Sequence, residues 1–148
     1  MEKLKLAIAS DHAGFELKKE ITQYLQNHDV KIKDFGTFNP DPVDYADYGH
    51  ILGNAVESGE YPVGISICGS GNGINMTVNK HPGIRSAVCW NVEIARLARF
   101  HNDANICALP ARFIKKEEAF RIIDMFLSTG FEGGRHVQRI NKIPLKNS

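Results

Sequence analysis

The chain opens on an apolar run, Leu4 to Ser10, broken only by Lys5, and then changes rhythm. From Phe15 the residues Phe15, Leu17, Ile21, Tyr24 and Leu25 recur at the spacing of one helical face. A strand followed by a helix is predicted. Val30 to Phe35 alternates apolar and charged side chains, which suits a strand at or near a sheet edge, and Gly36, Pro40 and Pro42 then break the pattern. A loop therefore leads to a helix over about Tyr45 to Ser58. Three more apolar runs, VGISIC ending at Cys68, SAVC at Ser86 to Cys89 and NICAL at Asn105 to Leu109, read as the remaining strands, with helical stretches between them. Ala119, Ile122, Ile123, Phe126 and Leu127 give the last long helix a single apolar face. The alternation predicts an α/β fold of three layers, α/β/α, with a five-stranded parallel sheet in one Rossmann-like or flavodoxin-like domain. That domain spans residues 1–148, and its polar, basic tail from Gly133 to Ser148 reads as an arm.

A length of 148 residues suits one domain with a core that needs no staples. Charge changes the picture little. With 18 Lys plus Arg against 17 Asp plus Glu, no global field recommends the chain to nucleic acid or to an anionic membrane, so any anion site is local. The odd set Cys68, Cys89 and Cys107 lacks metal-type spacing and reads as reduced thiols of a cytoplasmic protein. The first apolar stretch is too short for a signal-peptide core, and no run is long enough to span a bilayer. No HExxH, CxxC pair or carboxylate cluster is present, so no metal is expected.

In doubly wound sheets ligands bind beyond the carboxyl ends of the strands where the chain order reverses, which in the flavodoxin-like arrangement lies between strands one and three. That rule selects two loops, SDHAG from Ser10 and CGSGNG from Cys68. Gly69, Gly71 and Gly73 stand at every second position, and such a loop either packs a helix tightly on the sheet or presents backbone N–H groups to an anion. Cys68 beside it is a buried structural thiol or, near a helix N-terminus, a base or nucleophile. Asp11 and His12 are adjacent, so their side chains diverge. Asp11 fits a helix cap or a ligand for a substrate hydroxyl, and His12 fits a surface residue or a phosphate contact. His101, in RFHNDAN, closes a helix or serves as acid and base. Arg135 and Arg139 share a face if GGRHVQR is helical, and they fit either a solvated tail or bidentate phosphate binding.

Six ordered segments, IASDHAGFELK, DYADYG, ICGSGNGINM, NKHPGIRSAVC, RFHNDANI and EGGRHVQRI, together resemble the sugar-phosphate isomerase family that includes ribose-5-phosphate isomerase B and the galactose-6-phosphate isomerase subunits. The resemblance covers nearly the whole chain. It implies cofactor-free aldose–ketose isomerisation through an enediolate, with ribose 5-phosphate as the leading substrate, and an assembly of two chains or two such pairs. Hexose 6-phosphates are an alternative, and a non-catalytic flavodoxin-like phosphate or nucleotide binder is a second. It further implies that Cys68 removes the carbon proton, that Ser70 and the N–H groups of Gly69, Gly71, Asn72 and Gly73 serve the oxygens, and that His101 opens the sugar ring. Asp11, Tyr45 and Asn102 would hold hydroxyls, while His12, Arg112, Arg135 and Arg139 would bind phosphate. Asn72 departs from the apolar residue of many relatives, and Asn75 stands near where cysteine-lacking relatives carry a glutamate. In a parallel sheet, the connection carrying His101 reaches the amino ends of the strands, while Cys68 closes a strand at its carboxyl end. The two are expected on opposite edges of one chain, so sites shared in a homodimer follow if both serve one reaction.

Overall fold

The computed structural model describes residues 3–146, so residues 147 and 148 of the expected arm lie outside it. β1 (Lys5–Ser10) passes through a 3-10 turn at His12–Gly14 into α1 (Phe15–Gln26). There follow β2 (Lys31–Asp34), α2 (Tyr45–Glu57), β3 (Val63–Cys68), α3 (Asn72–Val78), β4 (Ser86–Val88), α4 (Val92–Phe100), β5 (Ile106–Pro110), α5 (Lys116–Ser128) and α6 (Arg135–Ile140). The five strands form one parallel sheet in the order β2-β1-β3-β5-β4. β1 and β3 are neighbours, so the two loops singled out above emerge side by side. The last two strands exchange places relative to a 2-1-3-4-5 order, which leaves short β4 at one edge and alternating β2 at the other.

Period-two alternation builds the core on both faces of the sheet. Leu6 and Ile8 of β1 join Leu17, Ile21 and Leu25 of α1, Ala95 and Ala98 of α4, and Ile122, Ile123 and Phe126 of α5. Ala7 and Ala9 point the other way, into a smaller core with Leu52, Val56 and Val78 of α2 and α3. Small residues on that side let α2 approach closely, for a Cβ at Gly64 would meet Val56 Cγ2 at 2.9 Å. Leu6, Ile8, Ile65 and Ile67 are wholly buried, and each contributes about 1.5–3 kcal/mol by leaving water.

One buried charge ties the core to the loops. Lys18 Nζ donates to both carboxylate oxygens of Asp34, at 2.6 and 2.7 Å, and to the Thr37 carbonyl at 2.6 Å. All its donors are thereby satisfied, which is what a buried ammonium requires. The same loop exchanges backbone bonds with Ser10 through Gly36 and Thr37, so Lys18 holds the β2–α2 connection against the end of β1.

The expected arm is in part an ordered, docked element. Its start forms α6, which buries His136 and Ile140. Glu132 N–H donates to the Phe100 carbonyl at 3.0 Å and brings this segment to the end of α4. Among the described residues, no helix is long and apolar enough to cross a membrane.

Candidate active site

The carboxyl ends of β1 and β3 open into a cavity of about 420 Å³ lined by Asp11, Tyr45, Cys68, Gly69, Ser70, Gly73, Arg112 and Phe113. Cys68 ends β3, paired in register with Pro110, and is 4% exposed. Asp11 Oδ1 accepts from Gly14 N–H at 3.1 Å, so the capping role holds while the residue also lines the cavity. Ser70 Oγ accepts from Asn72 N–H at 3.2 Å, which leaves its own proton to give elsewhere. The N–H groups of Gly69, Ser70 and Gly71 find no acceptor among the described residues. They are donors available to an oxyanion.

The three glycines have three different reasons. Gly71 takes φ +78°, a left-handed conformation that turns the chain into α3. At Gly69 a Cβ would lie 3.1 Å from Arg112 Nη1, so the bare backbone seats the guanidinium. At Gly73 a Cβ would meet Tyr45 Cζ at 2.5 Å, so the phenol ring lies directly on the start of α3. Arg112 is further fixed by its N–H donating to the Gly69 carbonyl at 3.0 Å. Its guanidinium has no carboxylate partner among the described residues, which leaves a positive charge in the cavity.

His12 lines a neighbouring cavity of about 550 Å³ with Pro42, Val43, Asp44, Asp47, Tyr48 and Ile51. Its Nδ1 accepts from Val43 N–H at 3.1 Å, so the neutral ring carries its proton on Nε2 and presents a donor. Asn72 begins α3 and is exposed without lining the Cys68 cavity.

The other expected residues gather elsewhere. His101 caps α4 and donates its N–H to Leu97, five residues before β5 begins at Ile106. Gly64 N–H at the start of β3 donates to the Asn105 carbonyl, so this corner sits at the amino edge. Four residues of strand, about 13 Å, separate Gly64 from Cys68. His101 stacks on His136, with ring centroids 4.5 Å apart. Arg135 and Arg139 lie on α6 beside them, exposed, and Arg135 reaches Glu132 at 3.8 Å. Asn102 gives its carbonyl to Arg85 at 3.0 Å. Asp103, the carboxylate in the same motif, is committed to Arg85 and Arg99 and is structural.

Burial pushes the His136 imidazole below its ordinary pKa, helped by Arg135, His101 and Arg139 and opposed by Glu132. Cys89 and Cys107 are buried partners, and the hydrogen bond between them together with burial raises the Cys107 thiol well above its usual value. Their burial suits structural thiols. Sequence reasoning missed Phe113, Glu132 and His136. The i,i+4 spacing of Glu132 and His136, two residues flanking a Gly-Gly break, was a readable signal; Phe113 carried none.

Comparison with known proteins places the chain in a family. The family model described as Ribose/Galactose Isomerase matches residues 6–143. Ribose-5-phosphate isomerase B of Escherichia coli strain K12 is 42% identical over 139 residues, covering 94% of this chain and 93% of that protein. The Clostridium thermocellum ribose-5-phosphate isomerase B structure superposes with a TM-score of 0.94 at 48% identity, over 95% of both chains. The Mycoplasma genitalium enzyme, solved with bound ribulose-5-phosphate, gives 0.92 at 38% identity, over 97% of this chain and 95% of that one. By fold, by matched length and by sequence identity, this chain belongs to the ribose/galactose isomerase family.

Proposed function

We propose that the chain interconverts ribose 5-phosphate and ribulose 5-phosphate without a cofactor, using Cys68 as the carbon base. The observation that carries this is one cavity in which a thiol at a strand end meets Asp11, Tyr45, Ser70, Arg112 and a glycine loop with unpartnered N–H groups. Starting from the aldose, the Cys68 thiolate takes the proton from C2 of the open-chain sugar, and the electron pair moves onto the C1 oxygen. Ser70 and the loop N–H groups stabilise that oxyanion, which a thiolate requires to remove a weakly acidic proton. The thiol then returns its proton to C1 while the proton on O2 passes to O1, and the ketose leaves. Asp11 and Tyr45 hold hydroxyls.

His101 opens the ring by taking the anomeric hydroxyl proton and giving one to the ring oxygen. Its place at the opposite sheet edge supports a site completed by a second copy of the chain. That copy would bring His101 and Asn102, and Arg135 and Arg139 for the phosphate, to the Cys68 cavity. Such a homodimer, free or paired with another, works in the cytoplasm. The galactose named in the family description makes hexose 6-phosphates the competing substrates, and the ratio of kcat/KM values decides between them.

The test is ketose formation from ribose 5-phosphate by purified protein. Wild type turns over, while Cys68→Ser keeps its fold and loses about 10²- to 10⁴-fold in kcat, the usual contribution of a general base. Near-normal turnover in Cys68→Ser contradicts the assignment.

A further inference from the structure

His101, Glu132 and His136 form a cluster that lines no part of the same chain's Cys68 cavity, and their ligand-type atoms all lie within 4.8 Å of one another. His136 is 5% exposed, and its Nε2 is buried with no hydrogen-bond partner. Glu132 Oε1 lies 3.6 Å from that nitrogen, too far for a hydrogen bond. An orphaned buried nitrogen costs stability unless something meets it. Water or a proton donor is one way, and a metal ion is another.

We propose that this cluster is an inhibitory site for a divalent transition metal of the zinc class, held by His101, His136 and Glu132. Two imidazoles and one carboxylate with an open fourth position is a donor set that such ions favour, and hard cations such as magnesium do not. Ligand atoms around a tetrahedral zinc stand about 3.4 Å apart, given metal–ligand distances near 2.1 Å. The Glu132–His136 separation already matches this. Closing the rest of the cluster requires His101, which is only half-buried, to leave its stacked position on His136 and turn a ring edge toward the ion, and the partly exposed Glu132 side chain to follow. His136 is the fixed member. The backbone supports the arrangement, since the Glu132 N–H bond to Phe100 holds one ligand beside the helix end that carries another.

Arg135 and Arg139 on the same helix oppose a cation and weaken its binding. The consequence is inhibition. An imidazole nitrogen that ligates a metal cannot shuttle protons, so a bound ion removes His101 from ring opening. This last step rests on the function proposed above; the site itself does not.

Cobalt(II) is the probe, added to metal-stripped protein. Wild type gives tetrahedral d–d absorption at one equivalent per chain, without a thiolate charge-transfer band. Cys68→Ser gives the same spectrum, which excludes the active-site thiol as the ligand. Glu132→Gln retains turnover in metal-free buffer and binds at least about tenfold more weakly, since even outer-shell partners of a metal contribute that much. Zinc inhibits wild type reversibly, with EDTA restoring activity, and Glu132→Gln needs correspondingly more zinc. A thiolate band, loss of the spectrum in Cys68→Ser, or unchanged cobalt binding in Glu132→Gln overturns the site. If the cobalt spectrum appears as described in a protein that never isomerises ribose 5-phosphate, the metal site stands and the catalytic reading falls.

Discussion

Replacing Gly73 with alanine adds one methyl group where the structure leaves no room. The new Cβ would sit 2.5 Å from Tyr45 Cζ, 2.6 Å from Cε1 and 2.9 Å from Cε2. Carbon atoms rest at about 3.5–4.0 Å, so the phenol ring must withdraw by about 1 Å or more. It is able to, because Tyr45 is 44% exposed and can swing toward solvent without opening a void. The backbone offers no resistance, since Gly73 lies inside α3 at ordinary helical φ, where alanine is favoured by about 0.5–1 kcal/mol. Stability should therefore hold or rise slightly. Activity should not, because a 1 Å displacement of a positioning group costs about 10²-fold. We expect Gly73→Ala to melt at or above the wild-type temperature while kcat/KM for ribose 5-phosphate falls by about that factor. Gly71→Ala is the contrast: at φ +78° the substitution strains the backbone by about 1–2 kcal/mol, so stability and activity fall together. In a double-mutant cycle, Gly73→Ala should add little once Tyr45 is already alanine. A Gly73→Ala enzyme with wild-type kcat/KM refutes the idea that position 73 is bare in order to seat Tyr45.

Two further outcomes follow from the same geometry. Arg139→Ala should raise KM for the phosphorylated sugar more than for the unphosphorylated one, and equal losses would make the arginine structural. Lys18→Ala should lower stability by about 2–3 kcal/mol in denaturant titration, less than for a fully buried pair because Asp34 is 36% exposed; an unchanged midpoint would show that the Lys18 clamp contributes nothing.

Much of this molecule was legible in the chain because its signals are local. Runs such as VGISIC and the helical spacing from Phe15 to Leu25 state their own period, and the glycine loop after Cys68 marks a turn by composition alone. The sheet edge held by β2 was also readable, since its charged positions alternate. What escaped depends on partners distant in sequence. β5 inserts between β3 and β4 through pairings that no local pattern encodes. Lys18 looks like a solvated helix residue until Asp34, sixteen positions on, closes over it. α6 has six residues behind two glycines, too short to announce itself by propensity, and it exists because His136 and Ile140 find buried places. Of the candidate site, the Cys68 half assembled as the loop rule implied, whereas His12 turned to the adjacent cavity because Val43 N–H holds its ring there.

The central claim is that one reaction uses Cys68 from one chain and His101 from another. Cys68→Ala and His101→Ala proteins, each inactive alone, are denatured together and refolded, with mixed dimers confirmed by native mass spectrometry. Each mixed dimer carries one intact site and one doubly damaged site, so random pairing should restore about a quarter of full activity by the two-fold symmetry of the arrangement. Confirmed mixed dimers that remain inactive would contradict the shared site.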